Sequence, residues 1–332
     1  MATIGNKFVD LIDLYKRQDG GLQIATIIEL IKQSNPILDD AMAVECNNGS
    51  KHRTTVRTGL PPITWGMLYK GIAQTKSTTA QVEDATGMAE ALSTVDKRLL
   101  DLSGNESALR LSEAKAFLEA MNQEVARAIF YGNSAVDPEQ FTGLAPRFSS
   151  LTAPNGGQIV DGGGTVAATK TSIWIVYWGD MQTHLIYPKG TKAGLTREDK
   201  GEQRVIDGAG NPYYVKEELF RWHIGLSVRD WRYVVRIANI ETTTLPNILP
   251  LLRKAYWRIH SHRISGGQGA IYANANVLEK IDSECTPTQE ITPNSSYVRV
   301  TPDSVTGKEI MSYRGIPIRQ CDAILNTEAV VT

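Results

Sequence analysis

The chain has 332 residues, 42% of them hydrophobic, with 35 Lys plus Arg against 36 Asp plus Glu and a formal charge of −1. That length can bury a substantial core as two domains or one elaborated domain, and the charge balance argues against a dedicated nucleic-acid binder, which carries a basic excess. No apolar run approaches the ~20 residues that cross a bilayer, and the opening Met1–Lys7 lacks the basic-then-apolar order of a secretory signal. The expected setting is therefore the cytosol, with no membrane partner. Near-neutral copies repel one another little, so self-association is permitted. Cys46, Cys285 and Cys321 are far apart and form no CxxC pair, which reads as three reduced, partly buried thiols.

The first expected element is a helix over Leu22–Gln33, with Ile24, Ile27, Ile28 and Ile31 on one face and Asn35-Pro36 ending it. From about Met42 to Gln81 the character changes. Val44, Thr54, Val56, Ile63, Trp65, Leu68 and Tyr69 are scattered among Asn, Gly, Ser, Thr and Pro, beside a basic cluster of Lys51, His52, Arg53 and Arg57. The middle, Thr58-Gly59-Leu60-Pro61-Pro62, signals a turn. This is a β-rich excursion with too few apolar residues for its own core. About ten paired residues would reach roughly 33 Å. Such an arm needs a surface to lie on, either its own domain or another molecule, because in isolation it invites aggregation.

The clearest pattern follows. Between Asn105 and Tyr131, Leu109, Phe117, Leu118, Met121, Val125, Ala128 and Ile129 recur at helical spacing, while Glu106, Glu113, Lys115, Glu119, Glu124 and Arg127 take the other faces. Asn105 is the expected N-cap and Gly132 the expected stop. A helix of about 26 residues is roughly 39 Å long, more than twice the usual. It reads as a spine.

Residues 133–170 are loop-rich. Ser172–Trp178 reads as a strand covered on both faces, and His184–Tyr187 as another, stopped by Pro188. The segment Val205–Ile240 reads as paired strands around a turn at Asp207–Pro212, with Phe220, Trp222 and Ile224 alternating. Leu245–Ser261 reads as a helix carrying Ile248, Leu251, Leu252, Ala255 and Ile259. A strand at Ala270–Ala273 and a helix near Ala275–Glu284 come next, and strands and turns close the chain. The class is α+β with mostly antiparallel strands.

Signatures of chemistry are missing. Gly307-Lys308 lacks the remaining residues of a phosphate loop, and Gly162-Gly163-Gly164 has no helix after it to receive a phosphate. There is no H-E-x-x-H and no G-x-S-x-G. His260 and His262 have no acid or cysteine nearby to complete a metal set, and Arg258 and Arg263 flank them. Asp39-Asp40, Glu83-Asp84 and Glu217-Glu218 are adjacent, so their side chains point apart and read as solvated or ion-paired. Arg253, Lys254, Arg258 and Arg263 with Tyr256 and Trp257 read as an amphipathic helix with snorkelling arginines before they read as a stacking site for nucleic acid. No cofactor is expected.

Tyr313-Arg314-Gly315-Ile316-Pro317-Ile318-Arg319 followed by Cys321-Asp322-Ala323-Ile324, Tyr131-Gly132-Asn133, Asp137-Pro138-Glu139-Gln140-Phe141, Thr142-Gly143-Leu144-Ala145-Pro146-Arg147, and Arg57-Thr58-Gly59-Leu60-Pro61 with Trp65 occur in this order around the long helix. Together they resemble the major capsid proteins of tailed bacteriophages with the Hong Kong 97-like fold, and among them those of short-tailed phages such as Bordetella phages. The resemblance spans nearly the whole chain. It implies an N-terminal arm and helix over 1–41, an extended loop over 42–82, and a peripheral domain part over 83–170 with the spine near 105–131. Strands shared by peripheral and axial domains over 171–244, and an axial part with closing strands over 245–332, complete it.

The function implied is structural and not enzymatic: pentamers and hexamers of an icosahedral shell enclosing double-stranded DNA, found in the virion and in the host cytoplasm during assembly. Implied partners are other copies, a portal, a cement or decoration protein, and non-specific contact with packaged DNA. Many such proteins carry a scaffolding segment of about a hundred residues before the fold. Here fold-like sequence begins almost at once, so a separate scaffolding protein is expected. No local motif carries the family's lysine–asparagine cross-link, and none is expected. Contacts between copies are placed on Arg53, Arg57, Trp65 and Tyr69, and deleting residues 50–75 should abolish shells. The competing readings are a cytosolic enzyme with a dispersed site, which predicts a deep polar pocket, and an encapsulin-like compartment shell of the same fold.

Overall fold

The computed structural model describes residues 32–166, 168–259, 267–285, 298–302 and 309–332, together with Val9 and Asp13. Nearly all of the helix expected over Leu22–Gln33 lies outside the described residues, as do His260, His262, Arg263, Gly307 and Lys308. In chain order the elements are α1 (Ile37–Asp40), β1 (Ala43–Glu45), β2 (Lys51–Gly59), β3 (Thr78–Asp96), α2 (Lys97–Ser103), α3 (Glu106–Tyr131) and α4 (Leu144–Arg147). Next come β4 (Ile159–Asp161), β5 (Lys170–Trp178), β6 (Thr183–Tyr187), β7 (Leu195–Ile206), β8 (Pro212–Val228) and β9 (Val234–Glu241). The chain closes with α5 (Ile248–Arg258), β10 (Gln268–Ala273), α6 (Ala275–Cys285), β11 (Val298–Pro302), β12 (Glu309–Tyr313) and β13 (Ile316–Gln320).

The apolar run in β5 makes it the centre of the body. Its alternate side chains enter two different cores, as a strand with no solvent face must. Ile173 and Ile175 join Val235 and Ile237 of β9, Ile271 of β10, Ile248, Leu251, Leu252 and Ala255 of α5, and Val277 and Ile281 of α6. Trp174, Val176 and Trp178 point the other way, onto Ile129 and Phe130 of α3, Phe148, Leu226 and Tyr272. Both β9 and β10 flank β5 antiparallel. The strands run β11-β12-β13-β10-β5-β6-β8-β3-β2, with β4 added to β9, β1 to β6 and β7 to β8.

The spine is α3. The Asn105 side chain accepts the Ala108 N–H at 3.1 Å, and Leu109, Ala114, Met121, Val125, Ala128 and Ile129 are buried along one side. Phe117 stacks on Phe220 of β8 at 5.7 Å between ring centroids. Two positions differ from the wheel expected from sequence. Leu118 is exposed, and Glu113 is buried. Gly132 ends the helix with φ −52°, so its role is not a left-handed turn. A Cβ there would sit 2.6 Å from the carbonyl oxygens of both Ala128 and Phe141. The glycine admits the returning chain.

Two strands are longer than the sequence suggests. The excursion expected to end near Gln81 continues as β3 to Asp96, because Thr86–Asp96 pairs antiparallel with β8 along its whole length. Its small residues Ala89 and Ala91 pack beneath the spine, which gives a strand signal too weak to read in one dimension. The paired strands expected from Val205 begin at Leu195, where the charged run Thr196–Arg204 pairs with β8. At the other boundary, β1 belongs to the body, running parallel to β6. The closing hairpin β12–β13 turns on Arg314 and Gly315, both with positive φ (50° and 84°), the two-residue turn whose twist matches paired strands.

Candidate assembly surface

The arm is the hairpin of β2 and the first part of β3, paired antiparallel from Lys51↔Ala85 to Gly59↔Thr78. A ladder of about nine residues spans roughly 30 Å. Beyond it, residues 60–77 hold no regular structure. Leu60, Ile63, Trp65, Met67, Leu68, Tyr69 and Ile72 are all exposed there, Trp65 at 96% of its surface. Scattered exposed apolar residues are ordinary, whereas seven on one segment of eighteen residues mark an interaction site. Tyr69 adopts φ 64° and is fully exposed, a left-handed conformation that is uncommon outside glycine. The tip carries Lys70 and Lys76 and no acid.

The four contact residues expected from sequence separate into two groups. Trp65 and Tyr69 lie at the tip, and Arg57 is exposed near the end of β2. Arg53 is committed within the chain: its Nε donates to Glu83 at 2.6 Å across the hairpin, and its N–H donates to Asn47 Oδ1 at 2.8 Å. Lys51 also reaches Glu83, and His52 points inward and is buried. The basic cluster seen in the sequence is thereby split, one member inside and two paired. Leu60, Ile63, Met67, Leu68 and Ile72 belong to the tip as well. Apolar side chains crowded among Gly and Pro, with neither helical nor strand period, were the sequence signal for them.

The arm is anchored at its root. Asp84 of β3 is buried and accepts from Arg147 Nη2 at 2.7 Å and from Ser227 Oγ at 2.8 Å. Its neighbour Glu83 faces solvent, so the adjacent acids do point apart. Glu217-Glu218 behaves the same way. Glu218 is buried and bridged by Arg110 at 2.6 Å and Arg197 at 2.8 Å. Arg110 also reaches Asp199 at 2.9 Å, and Lys216 bonds Glu106. These pairs fasten the β7–β8 hairpin to the spine.

The described residues contain no group of three or more His, Cys, Asp or Glu able to hold a metal. Burial pushes the Cys46 thiol up to about 11 and the Cys321 thiol up to about 12, the opposite of an activated nucleophile. A cavity of about 530 Å³ opens beside Lys32, Asn35, Asp39 and Asp322. Two of its polar groups bond backbone, Asp322 accepting the Ser34 N–H at 2.8 Å and Asn35 Oδ1 accepting the Ala323 N–H at 3.1 Å. It lies where residues 32–39 meet Asn122 of the spine and Asp322. On α5, Trp257 is exposed beside Arg253 and Lys254, and Arg314 lies 5.6 Å from its ring and 4.8 Å from that of Tyr256.

A long helix backing a β body, with an anchored arm whose tip is apolar and unburied, defines a shell-building subunit of the Hong Kong 97-like capsid fold. The family of major capsid protein GP7 matches residues 19–332, and the chain belongs to that family. It is a structural protein of the phage capsid and is located in the virion. A chain of bacteriophage Epsilon15 is 35% identical, with a TM-score of 0.79 and complete coverage of both chains. The holo-SrpI encapsulin of Synechococcus elongatus PCC 7942 is 13% identical, covering 72% of this chain and 99% of its own, with a TM-score of 0.48. The bacteriophage JBD30 capsid is 10% identical, covering 84% and 88%, with a TM-score of 0.46. Neither of these two adds to the assignment. No curated protein sequence matches the chain.

Proposed function

We propose that the arm lies on neighbouring copies and closes pentamers and hexamers of an icosahedral shell around double-stranded DNA. The observation that carries this reading is the apolar tip, which has no burial partner among the described residues. A fully buried side chain of this kind contributes about 1.5–3 kcal/mol, and permanent contacts of such assemblies bury more than about 2,000 Å². Closed symmetry follows when one interface repeats. Trp65 and Tyr69 supply aromatic anchors, the residue types that dominate interface energetics. Arg57 adds an exposed cation at the base of the tip, and Arg53 acts by stiffening the arm.

In the family's terms, the N-terminal arm and helix are assigned to residues 1–41, most of which lie outside the described residues, the extended loop to 42–82 apart from β1, and the peripheral part with the spine to 83–170. Residues 171–244 supply shared strands and 245–332 the axial part. A separate scaffolding protein guides assembly in the host cytoplasm, a portal occupies one vertex, and a cement protein and the packaged DNA make further contacts. The chain performs no catalysis, and the burial of the Cys46 and Cys321 thiols supports this reading.

Replacing residues 60–77 by a short Gly-Ser turn tests the reading. Electron microscopy of the expressed protein should show no closed shells while the circular dichroism spectrum is retained. Normal shells from that variant would refute it.

A further inference from the structure

The root of the arm holds a pair of buried imidazoles. His184 of β6 is fully buried and His52 of β2 is 6% exposed; their rings meet edge to face with centroids 5.3 Å apart. In the sheet, β3 and β8 lie between β2 and β6. Three strand spacings are roughly 14 Å, so the rings touch only because the sheet curls at this point. The register explains the meeting place. His52 lies opposite Asp84, and His184 opposite Ser227, whose hydroxyl bonds Asp84.

Among the described residues, the charged groups acting on the pair are Arg229, Asp180 and Asp84. Arg229 opposes protonation of both rings, while Asp180 favours it at both and Asp84 favours it at His52. Asp84 is already matched by Arg147. Neither ring nitrogen of His184 makes a well-formed hydrogen bond, although the Gly179 backbone lies near enough to favour its charged form. Desolvation outweighs these terms and is the largest influence on both rings. It lowers His52, and with the help of the His52 ring it brings His184 from 6.5 down to about 4. Both rings are therefore neutral at pH 7. The strand carrying His52 is the part free to respond, because β2 pairs with β3 alone.

We propose that the His52–His184 contact is an acid-sensitive joint, holding the arm against the body while both rings are neutral and releasing it when they take up protons. Two charged rings at this distance repel each other and demand water that the closed joint excludes. The sign follows from the lowered values. A base that loses affinity for protons on burial costs the closed state nothing above about pH 6.5. The closed state then weakens as pH falls from there towards 4, by roughly tenfold in the opening equilibrium per pH unit. The inference concerns one chain and does not rest on shell closure.

Hydrogen exchange of the full-length chain, normalised to intrinsic rates, reads the joint directly between pH 7 and 4. Amides of Lys51–Val56 and Val82–Ala85 should lose protection progressively, while those of β5 and β9 keep theirs. His184→Phe keeps a ring of similar size without a titrating nitrogen and should retain arm protection to lower pH. Unchanged arm protection across the range, or an identical loss in His184→Phe, overturns the proposal. Should that variant not fold, histidine-labelled NMR of the native chain decides. His184 titrating below pH 5 together with the loss of protection supports the joint, and titration near 6.5 overturns it.

Discussion

Glu328 near the C-terminus should be among the most sensitive positions in the molecule. It is buried and accepts from Tyr131 Oη, Ser172 Oγ and, at 2.9 Å, Arg236 Nη2. Arg236 is itself buried, donates to the Phe148 carbonyl at 2.8 Å and lies 5.0 Å from the centre of the Trp174 ring. Removing the carboxylate by Glu328→Ala strands a guanidinium in the core between the spine's C-terminal end and β5. Breaking one side of a buried pair costs about 3–5 kcal/mol, whereas replacing both partners by apolar groups of similar size is often neutral. Denaturant unfolding of the unassembled chain should show that loss for Glu328→Ala. The double variant Glu328→Leu with Arg236→Met should recover most of it. A loss below about 1 kcal/mol for the single change, or a double variant worse than the single, would refute the account of Glu328 as the counter-charge of Arg236.

Phe220→Ala should cost about 3–5 kcal/mol in the same assay by opening the contact with Phe117 beneath the spine. Asn105→Ala should cost about 1 kcal/mol through loss of the N-cap. Trp65→Ala should leave thermal stability unchanged and raise the concentration at which shells appear in light scattering, because Trp65 is almost fully exposed. The Lys170 ammonium holds Glu241 well below its usual 4.5, at about 2. The stability from that pair is complete above about pH 4.5 and fades as pH falls towards 2, which acid titration of unfolding midpoints will follow in wild type and not in Lys170→Met. Cys46 and Cys321 should react with a thiol reagent only after unfolding, given their burial and raised thiol values.

The spine, the double-faced strand β5 and the amphipathic α5 were legible in one dimension because their burial repeats along the chain. Leu109 to Ile129 recur every three to four residues, and β5 is an unbroken apolar run, so the sequence alone requires a long helix and a covered central strand. The same reading gave the arm its character, since Leu60 to Ile72 offers apolar side chains with no period that could bury them locally.

What only the tertiary structure decided concerns residues whose partners are far away in sequence. Thr86–Asp96 looks like polar linker until β8 lies beside it, and Thr196–Arg204 looks like a solvated charge run until Arg110, Glu218 and Lys97 match its charges. His52 read as part of a basic cluster, but the curl of the sheet turns it inward onto His184. Glu328 carried no signal at all, for its three partners lie between 92 and 197 residues away. Periodicity reports burial along one element. Pairing of charges across elements depends on where the sheet places them, and no local pattern encodes that.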